Sequence, residues 1–456
     1  MEDALERISG DLNEALEETI SRVKSLPKSK AQLGMDVLMW LCHAKRAMST
    51  AEVSDALAFW KGQGSKLDKY RPSTSMILEC CHGLVVLGAD TAYIELAHYS
   101  IQEYLESNTP SLFPSFNQKV ASTCLGYLML DDFKRGPESI HDDDGSIDYD
   151  LIERRLVNYP FASYASHFWG KHVKHIQATE SSYSVLLDFV HHSGSTGSSV
   201  QIEHFKRGLR SIYVDPRECL SRTPMHHASA FGLERLLATI LESPDASATV
   251  NYKTEVVGST PIILAAASGH TKLVRLLLQH GADPYINNWY GNALHCAAEA
   301  DQAETIVELV RSGMNPNYCD EYKKPGSRRS PISCTLDRDS VHALMALTWL
   351  GASVKVAGNS GQQPFLHRAA TRGASKIVEY LVRNNLADVH YKSREGETAL
   401  DCAIASRSTE TIRTLLSVSA NSQQISSRSL VMLARLGFRL KSTLLAERDE
   451  QDPVDH

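Results

Sequence analysis

A phrase of about 33 residues recurs along the second half of this chain, and it constrains the fold more than composition does, because one such unit cannot bury its apolar face alone and must stack on its own copy. The clearest copy, GSTPIILAAASGHTKLVRLLLQHGADPYINNWY, spans residues 258 to 290. Counted from the second residue of each turn signal, the phrase returns at Pro224, Pro261, Ala293, Pro331, Pro364 and Ala399. These starts predict an all-α solenoid over 215–420.

Each unit can be read residue by residue. Thr223-Pro224 and Thr260-Pro261 open a first short helix, since Pro is tolerated where its missing N–H would be orphaned and Thr can cap; Thr398 stands in the same place before Ala399. Small residues follow, as in Ala265 to Ala267, Ala297-Ala298 and Ala369-Ala370, and let helices approach closely. Gly232, Gly269 and Gly373 are placed to end the first helix in the left-handed conformation. A second helix then carries aliphatic residues at helical spacing, with Leu273, Val274, Leu277 and Leu278 in one unit and Ile377, Val378 and Leu381 in another. Gly281, Gly313 and Gly351 close it. The fourth unit, SPISCTLDRDSVHALMALTWLGASV, lacks both the motif His and the expected glycine and follows a basic insert, KKPGSRRS, so it is the least regular.

These units resemble ankyrin repeats, whose pattern includes T-P-L-H-x-A at the first helix and G-A-D after the second. Thr223-Pro224-Met225-His226, Ala293-Leu294-His295 and Pro364-Phe365-Leu366-His367 carry the likeness best. His226, His295 and His367 recur at one position, so a hydrogen bond that fixes the turn is expected of them in place of metal binding or catalysis. The resemblance implies a preformed concave surface and loop tips that bind another protein. Asn287, Asn288, Trp289 and Tyr290 form one such tip and are the candidate contacts.

The N-terminal half reads as helices followed by a hairpin. Val37, Leu38, Trp40 and Leu41 mark one helix, Ser49 to Glu52 has the spacing of a capping box before a second, and a third runs through Met76, Ile77 and Leu78. Apolar runs at Leu84 to Leu87 and Tyr93 to Ala97 flank a turn signal. A winged-helix-like module is therefore expected over 1–110, with one small β-hairpin. A helical connector over 111–200 contains an acidic linker (138–150) and a flexible Ser/Gly linker, SGSTGSS (193–199). A capping helix and acidic tail are expected over 421–456.

The phrases Trp40 to Arg46, Ser49 to Val53, Cys80 to Val85, His98 to Leu105 and Tyr159 to Ala165 resemble the segment between the nucleotide-binding domain and the repeats of fungal NACHT–ankyrin proteins, relatives of the NLR-type signalling ATPases. Those relatives hold ATP in a loop of the form G-x-x-x-x-G-K-[ST]. This chain has none; Trp169-Gly170-Lys171-His172 lacks both the earlier glycine and the hydroxyl residue. The chain is then expected to be a shortened relative, or one whose upstream part is a separate or mispredicted product, without nucleotide or other cofactor.

Composition narrows the function further. A net charge of -7 disfavours a surface built to neutralise phosphate, and the third helical stretch, STSMILECCHGL, has no Lys or Arg with which to contact DNA. No apolar run approaches the roughly 20 residues that cross a bilayer, and the charged N-terminus is unlike a signal peptide. Nine cysteines, none in C-x-x-C spacing, read as reduced structural thiols of a cytoplasmic or nuclear protein. No catalytic, cofactor-binding or metal-binding residues are expected, and neither nucleic acid nor membrane. The sequence points to a non-catalytic protein–protein interaction scaffold in intracellular signalling. A winged-helix transcriptional regulator, or an auxiliary protein of an enzyme pathway, is the alternative.

Overall fold

The computed structural model describes residues 2–62, 67–89, 92–141, 148–174, 180–208, 211–322, 327–354, 364–418 and 432–433. The chain divides into two compact units, residues 1–233 with 254–257, and 234–253 with 258–456.

In the first unit the capping box forms as its spacing requires. The Glu52 N–H donates to Ser49 Oγ at 3.1 Å and the Ser49 N–H to the Glu52 carboxylate at 2.9 Å, which starts the helix Thr50–Gly62. This helix packs with Lys28–His43, and Lys28–His43 packs in turn with Thr74–Cys80. The hairpin Val85–Leu87 with Tyr93–Leu96 gains a third strand, Met48–Ser49, so that the sheet order is 48–49, 93–96, 85–87, all antiparallel. The expectation of a hairpin alone missed this strand because two residues leave no periodic signal. What anchors it is the full burial of Met48 and a 2.9 Å bond from the Thr50 N–H to the Ala92 carbonyl.

The helical stretch after the sheet is built around aromatic rings. Phe161, on the helix Phe161–Val173, meets Trp40 edge-on at 5.3 Å and Tyr127 at 5.2 Å, and all three are buried. Asp55 is fully buried beneath them. It accepts from Arg71 Nε at 2.7 Å and from the Tyr127 hydroxyl, which supplies the pairing a buried carboxylate requires.

The Ser/Gly stretch corrects the reading of a flexible linker. It opens the helix Ser193–Lys206, and Ser195 to Ser199 are buried. The small side chains permit close approach: a Cβ added at Gly194 would lie 2.2 Å from the Lys134 carbonyl oxygen, and Ser198 Oγ donates to the Phe133 carbonyl at 2.9 Å. The acidic stretch is likewise anchored at its start. Gln201 accepts from the Glu138 N–H and donates to the Glu138 carbonyl, both at 2.7 Å, and Ile140 is buried against Ile152 and Val214. Residues 142–147 lie outside the described part.

The second unit is an all-α repeat stack. First helices pack on first helices, as Pro261–Ala267 on Ala293–Glu299 and Phe365–Arg372 on Ala399–Ala405. Second helices pack on second helices in the series Thr271–Gln279, Ala303–Arg311, Val341–Trp349, Ser375–Arg383 and Thr409–Val418. The irregular fourth repeat is a complete unit of this kind: Pro331–Cys334 runs into a 3-10 turn, Thr335–Asp337, and Val341–Trp349 returns. Its missing glycine is replaced by Asp339, which holds the left-handed conformation at φ 53°. Asp301 does the same at φ 59° in the third repeat. An aspartate pays the strain of that conformation with a bond glycine cannot make. The Asp339 carboxylate accepts from the Lys376 and Ile377 N–H groups at 3.0 and 2.9 Å, at the start of the next second helix, and Asp301 accepts from the Ala343 N–H at 2.7 Å.

Two expectations shift. Pro364 sits at the N-cap, in the place of Thr223 and Thr398, and the helix begins at Phe365; the capping backbone is extended (φ -52°, ψ 152°), which Pro adopts readily. Residues 327–329 of the basic insert pair antiparallel with Asp320–Tyr322, in place of a plain loop. The expected capping helix and tail lie outside the described residues, apart from 432 and 433.

Two outcomes test this packing. Ala266 is fully buried, so Ala266→Asp introduces an unpaired carboxylate between helices and should lower the thermal unfolding temperature by several degrees; an unchanged transition contradicts the register. His43 stacks on Phe116 at 3.8 Å, and burial lowers its pKa to about 4 from the ordinary 6.5. The unfolded chain therefore takes up a proton that the folded chain refuses, and stability falls as pH drops from 6.5 toward 4. Thermal scans at pH 7 and pH 5 should show a loss that His43→Leu reduces.

Candidate protein-interaction surface

Side chains from one repeat hold the turn of the next. At the end of the second helices, Gly281, Gly313 and Gly351 turn the chain in the left-handed region, and the following N–H groups of Ala282, Met314 and Ala352 return to Leu277, Leu309 and Leu347. This leaves the glycine carbonyls for a neighbour. Asn251 donates to the Gly281 carbonyl at 3.0 Å and accepts from the Asp283 N–H at 2.8 Å. Asn317 repeats the pair with Gly351 at 3.1 Å and Ser353 at 2.8 Å. Between them the Tyr285 hydroxyl donates to the Gly313 carbonyl at 3.2 Å.

Two of the repeated histidines serve the same end, and a bond of the third lies within its own repeat. His226 completes a capping box, its Nδ1 accepting from the Thr223 N–H at 3.2 Å. His295 Nε2 lies 2.9 Å from the carbonyl of Arg329, and His367 Nε2 lies 2.9 Å from that of Glu397; each reaches the turn that opens the following repeat. All three are fully buried. Of the threonines, Thr398 caps its helix, with Oγ1 accepting from the Asp401 N–H at 3.3 Å, whereas Thr260 is buried without a side-chain cap bond. Pro224 and Pro261 occupy the first helical turn; Gly269 and Gly373 hold φ of 73° and 72°.

These bonds fix where the turn residues point. Asn288 pairs with Gly291, accepting its N–H at 3.4 Å and donating to its carbonyl at 3.0 Å, and Gly291 has φ 117° with no room for a Cβ before His295. The Asn288 side chain is spent inside the turn: Nδ2 donates to Ser259 Oγ at 3.1 Å and Oδ1 accepts from the Tyr290 N–H at 2.7 Å. Of the four candidate contacts, Asn287 and Trp289 are exposed and Tyr290 is half-buried. Tyr285 is exposed nearby.

Sequence reasoning missed a charged cluster across the first helices of three repeats, made by Glu299, Arg329, Asp337, Arg338, Arg368 and Arg372. These residues are scattered in sequence, and only stacking brings them together.

The first unit contains an open cleft of about 410 Å³ lined by Lys45, Arg46, Met48, Glu95, His98 and Gln102, among others. Two of its polar groups serve the fold: Glu52 holds the Arg46 guanidinium at 2.5 and 2.8 Å, and His98 Nδ1 caps the helix Tyr99–Ser107. Eight cysteines are buried and Cys319 is partly so, and burial pushes the Cys42 and Cys81 thiols up to about 12, so neither is a ready nucleophile. Among the described residues no helix is long and apolar enough to cross a membrane.

Comparison with known families agrees with this geometry. The family described as ankyrin repeats (3 copies) matches residues 225–320 and 336–426, and the GPI inositol-deacylase, winged helix domain matches residues 16–119. The chain thus carries ankyrin repeats and a winged-helix domain. Palmitoyltransferase AKR1 of Lachancea kluyveri is 26% identical over 155 residues, covering 34% of this chain and 21% of that protein. Azaphilone pigments biosynthesis cluster protein L of Monascus ruber is 24% identical over 296 residues, covering 59% of each. The chain therefore spans three fifths or less of these relatives. The crystal structure of the human ASB11 ankyrin repeat domain aligns with 51% of this chain at 20% identity and a TM-score of 0.39.

The inter-repeat bonds are testable. Asn317→Ala strands the Gly351 carbonyl and the Ser353 N–H, and denaturant unfolding should show a loss of about 1–2 kcal/mol. His367→Ala should cost a similar amount, about 1–3 kcal/mol, while a chelator leaves the wild-type transition unmoved; a chelator-sensitive transition would overturn the hydrogen-bond role.

Proposed function

We propose that this chain is a non-catalytic scaffold that binds another protein through its ankyrin-repeat surface, as part of intracellular signalling in the cytoplasm or nucleus. The observation that carries this reading is the regular presentation of turns from one repeat to the next, with the tip at Asn287, Trp289 and Tyr290 held rigid by Asn288 and Gly291. A surface fixed in advance loses little entropy on binding, and exposed aromatic side chains on it are the usual anchors of an interface. The winged-helix match and the resemblance to NACHT–ankyrin proteins support signalling as the setting. Within this reading the winged module braces or relays. Its helix Thr74–Cys80 carries no Lys or Arg, which argues against a role in reading DNA.

A second reading, an auxiliary protein of a biosynthetic pathway, is favoured by the similarity to azaphilone pigments biosynthesis cluster protein L over 59% of each chain. In both readings the chemistry belongs to the partner.

The test is capture from native extract with the full chain and with an Asn287→Ala, Trp289→Ala variant. The specific partner recovered with wild type should drop severalfold with the variant while thermal unfolding stays the same. Undiminished capture moves the contact away from this tip, and capture that survives deletion of the repeats contradicts the scaffold reading.

A further inference from the structure

The second helices of successive repeats align on the turn that closes each one. The N–H groups of Ala282, Met314, Ala352 and Leu386 return to the carbonyls of Leu277, Leu309, Leu347 and Leu381, and the left-handed residue of each turn is Gly281, Gly313, Gly351 or Asn385. Two residues before that turn stand Gln279, Arg311, Trp349 and Arg383, all exposed. Six residues before it stand Arg275, Val307, Met345 and Glu379. Of these four repeats the fourth alone is apolar at both positions. Trp349 is 73% exposed and Met345 46%. They lie four apart on the helix Val341–Trp349 and therefore on one face, with Ala346 and Leu350 half-buried beside them. Water meets a strip of apolar surface here, where the flanking repeats place Arg311 and Arg383.

Two large apolar side chains held side by side on a helix gain by being covered, and tryptophan is among the usual anchors of an interface. The next helix indicates what covers them. On Ser375–Arg383, Glu379 and Arg383 stand at the heights of Met345 and Trp349 and pair with each other at 2.7 Å, Arg383 well exposed and Glu379 partly so. Reversed end for end, this layout matches itself: Trp349 falls on Met345, and Arg383 on Glu379. A two-fold axis across the helices produces that reversal and keeps each helix over its own copy. An axis along the helices would instead lay Ser375–Arg383 over Ala303–Arg311 and bring Arg383 to Arg311, cation on cation.

We propose that this face binds the same face of a second copy of the chain. The two Val341–Trp349 helices run antiparallel, with Trp349 of one protomer on Met345 of its partner and Arg383 of each beside Glu379 of the other. The apolar pair supplies the attraction, while the exposed charge pairs at the rim add little energy and fix the orientation. A contact anchored on so few side chains is small, so the dimer should form and dissolve with concentration. The inference goes beyond the binding of another protein and does not use the tip at Asn287 to Tyr290.

Sedimentation equilibrium of the full chain over about a hundredfold range of concentration tests this. The mass should rise from that of one chain toward that of two and stop there. Joint Met345→Arg and Trp349→Gln substitution gives the fourth repeat the residues that the second repeat has at these positions, and it should raise the dimer dissociation constant by about tenfold or more. Both side chains are exposed, so thermal unfolding should match wild type; if the pair of changes disturbs the helix, Trp349→Gln alone gives the same comparison with a smaller rise. Arg383→Glu sets like charges across the two-fold axis and should weaken the dimer severalfold, whereas the Glu379→Arg, Arg383→Glu exchange should recover it. A single-chain mass at every concentration, growth past two chains, a dimer indifferent to Trp349, or an exchange that fails to recover overturns the proposal. Repeat-dependent capture of a partner by a chain that stays monomeric removes the self-pairing and leaves the scaffold reading standing.

Discussion

A carbonyl left open by a left-handed turn, filled by a side chain from the preceding repeat, is the interaction on which the repeat stack depends. Asn251 and Asn317 fill it with an amide that also takes up an N–H two residues further on. His295 and His367 do the equivalent at the other end of the unit, where a first helix begins. A short helical pair has little core of its own, so such bonds, together with small residues such as Ala265, Ala297 and Ala369 at the helix contacts, make each repeat's geometry a property of its neighbours. The rigidity this gives is what the proposed binding role of the turns requires.

The parts of the fold that rest on local chemistry were readable from the sequence. Thr223-Pro224, the Ser49 to Glu52 box and the glycines at 281, 313 and 351 act within a few residues of themselves, and they form as their spacing implies. The parts that failed depend on what lies opposite. SGSTGSS has the composition of a flexible linker, yet its small side chains mark a helix pressed against Lys134 and Leu220. The fourth repeat looked damaged because it lacks a glycine, but Asp339 reaches the left-handed region and recovers the cost through bonds to the next repeat. Pro364 was read one residue late, since an extended N-cap and a first helical residue both accept proline.

The candidate surface divides in the same way. The turn from Asn287 to Tyr290 was visible because it breaks the repeat pattern with aromatic residues, although only the folded chain shows that Asn288 is consumed in shaping it. The arginine cluster had no local signature, because its members lie dozens of residues apart and meet only through stacking. In the first unit the conspicuous groups are committed to the fold: Arg46 pairs with Glu52, and Asp55 accepts from Arg71 and Tyr127. The proposed function places recognition on the repeats for that reason.

Hydrogen exchange of the full chain, with and without its captured partner, tests that assignment most directly. The account expects new protection in the turns and first helices between 258 and 418, with the helices and sheet of residues 28–107 unchanged. Protection confined to residues 28–107, with the repeats unaltered, would contradict it.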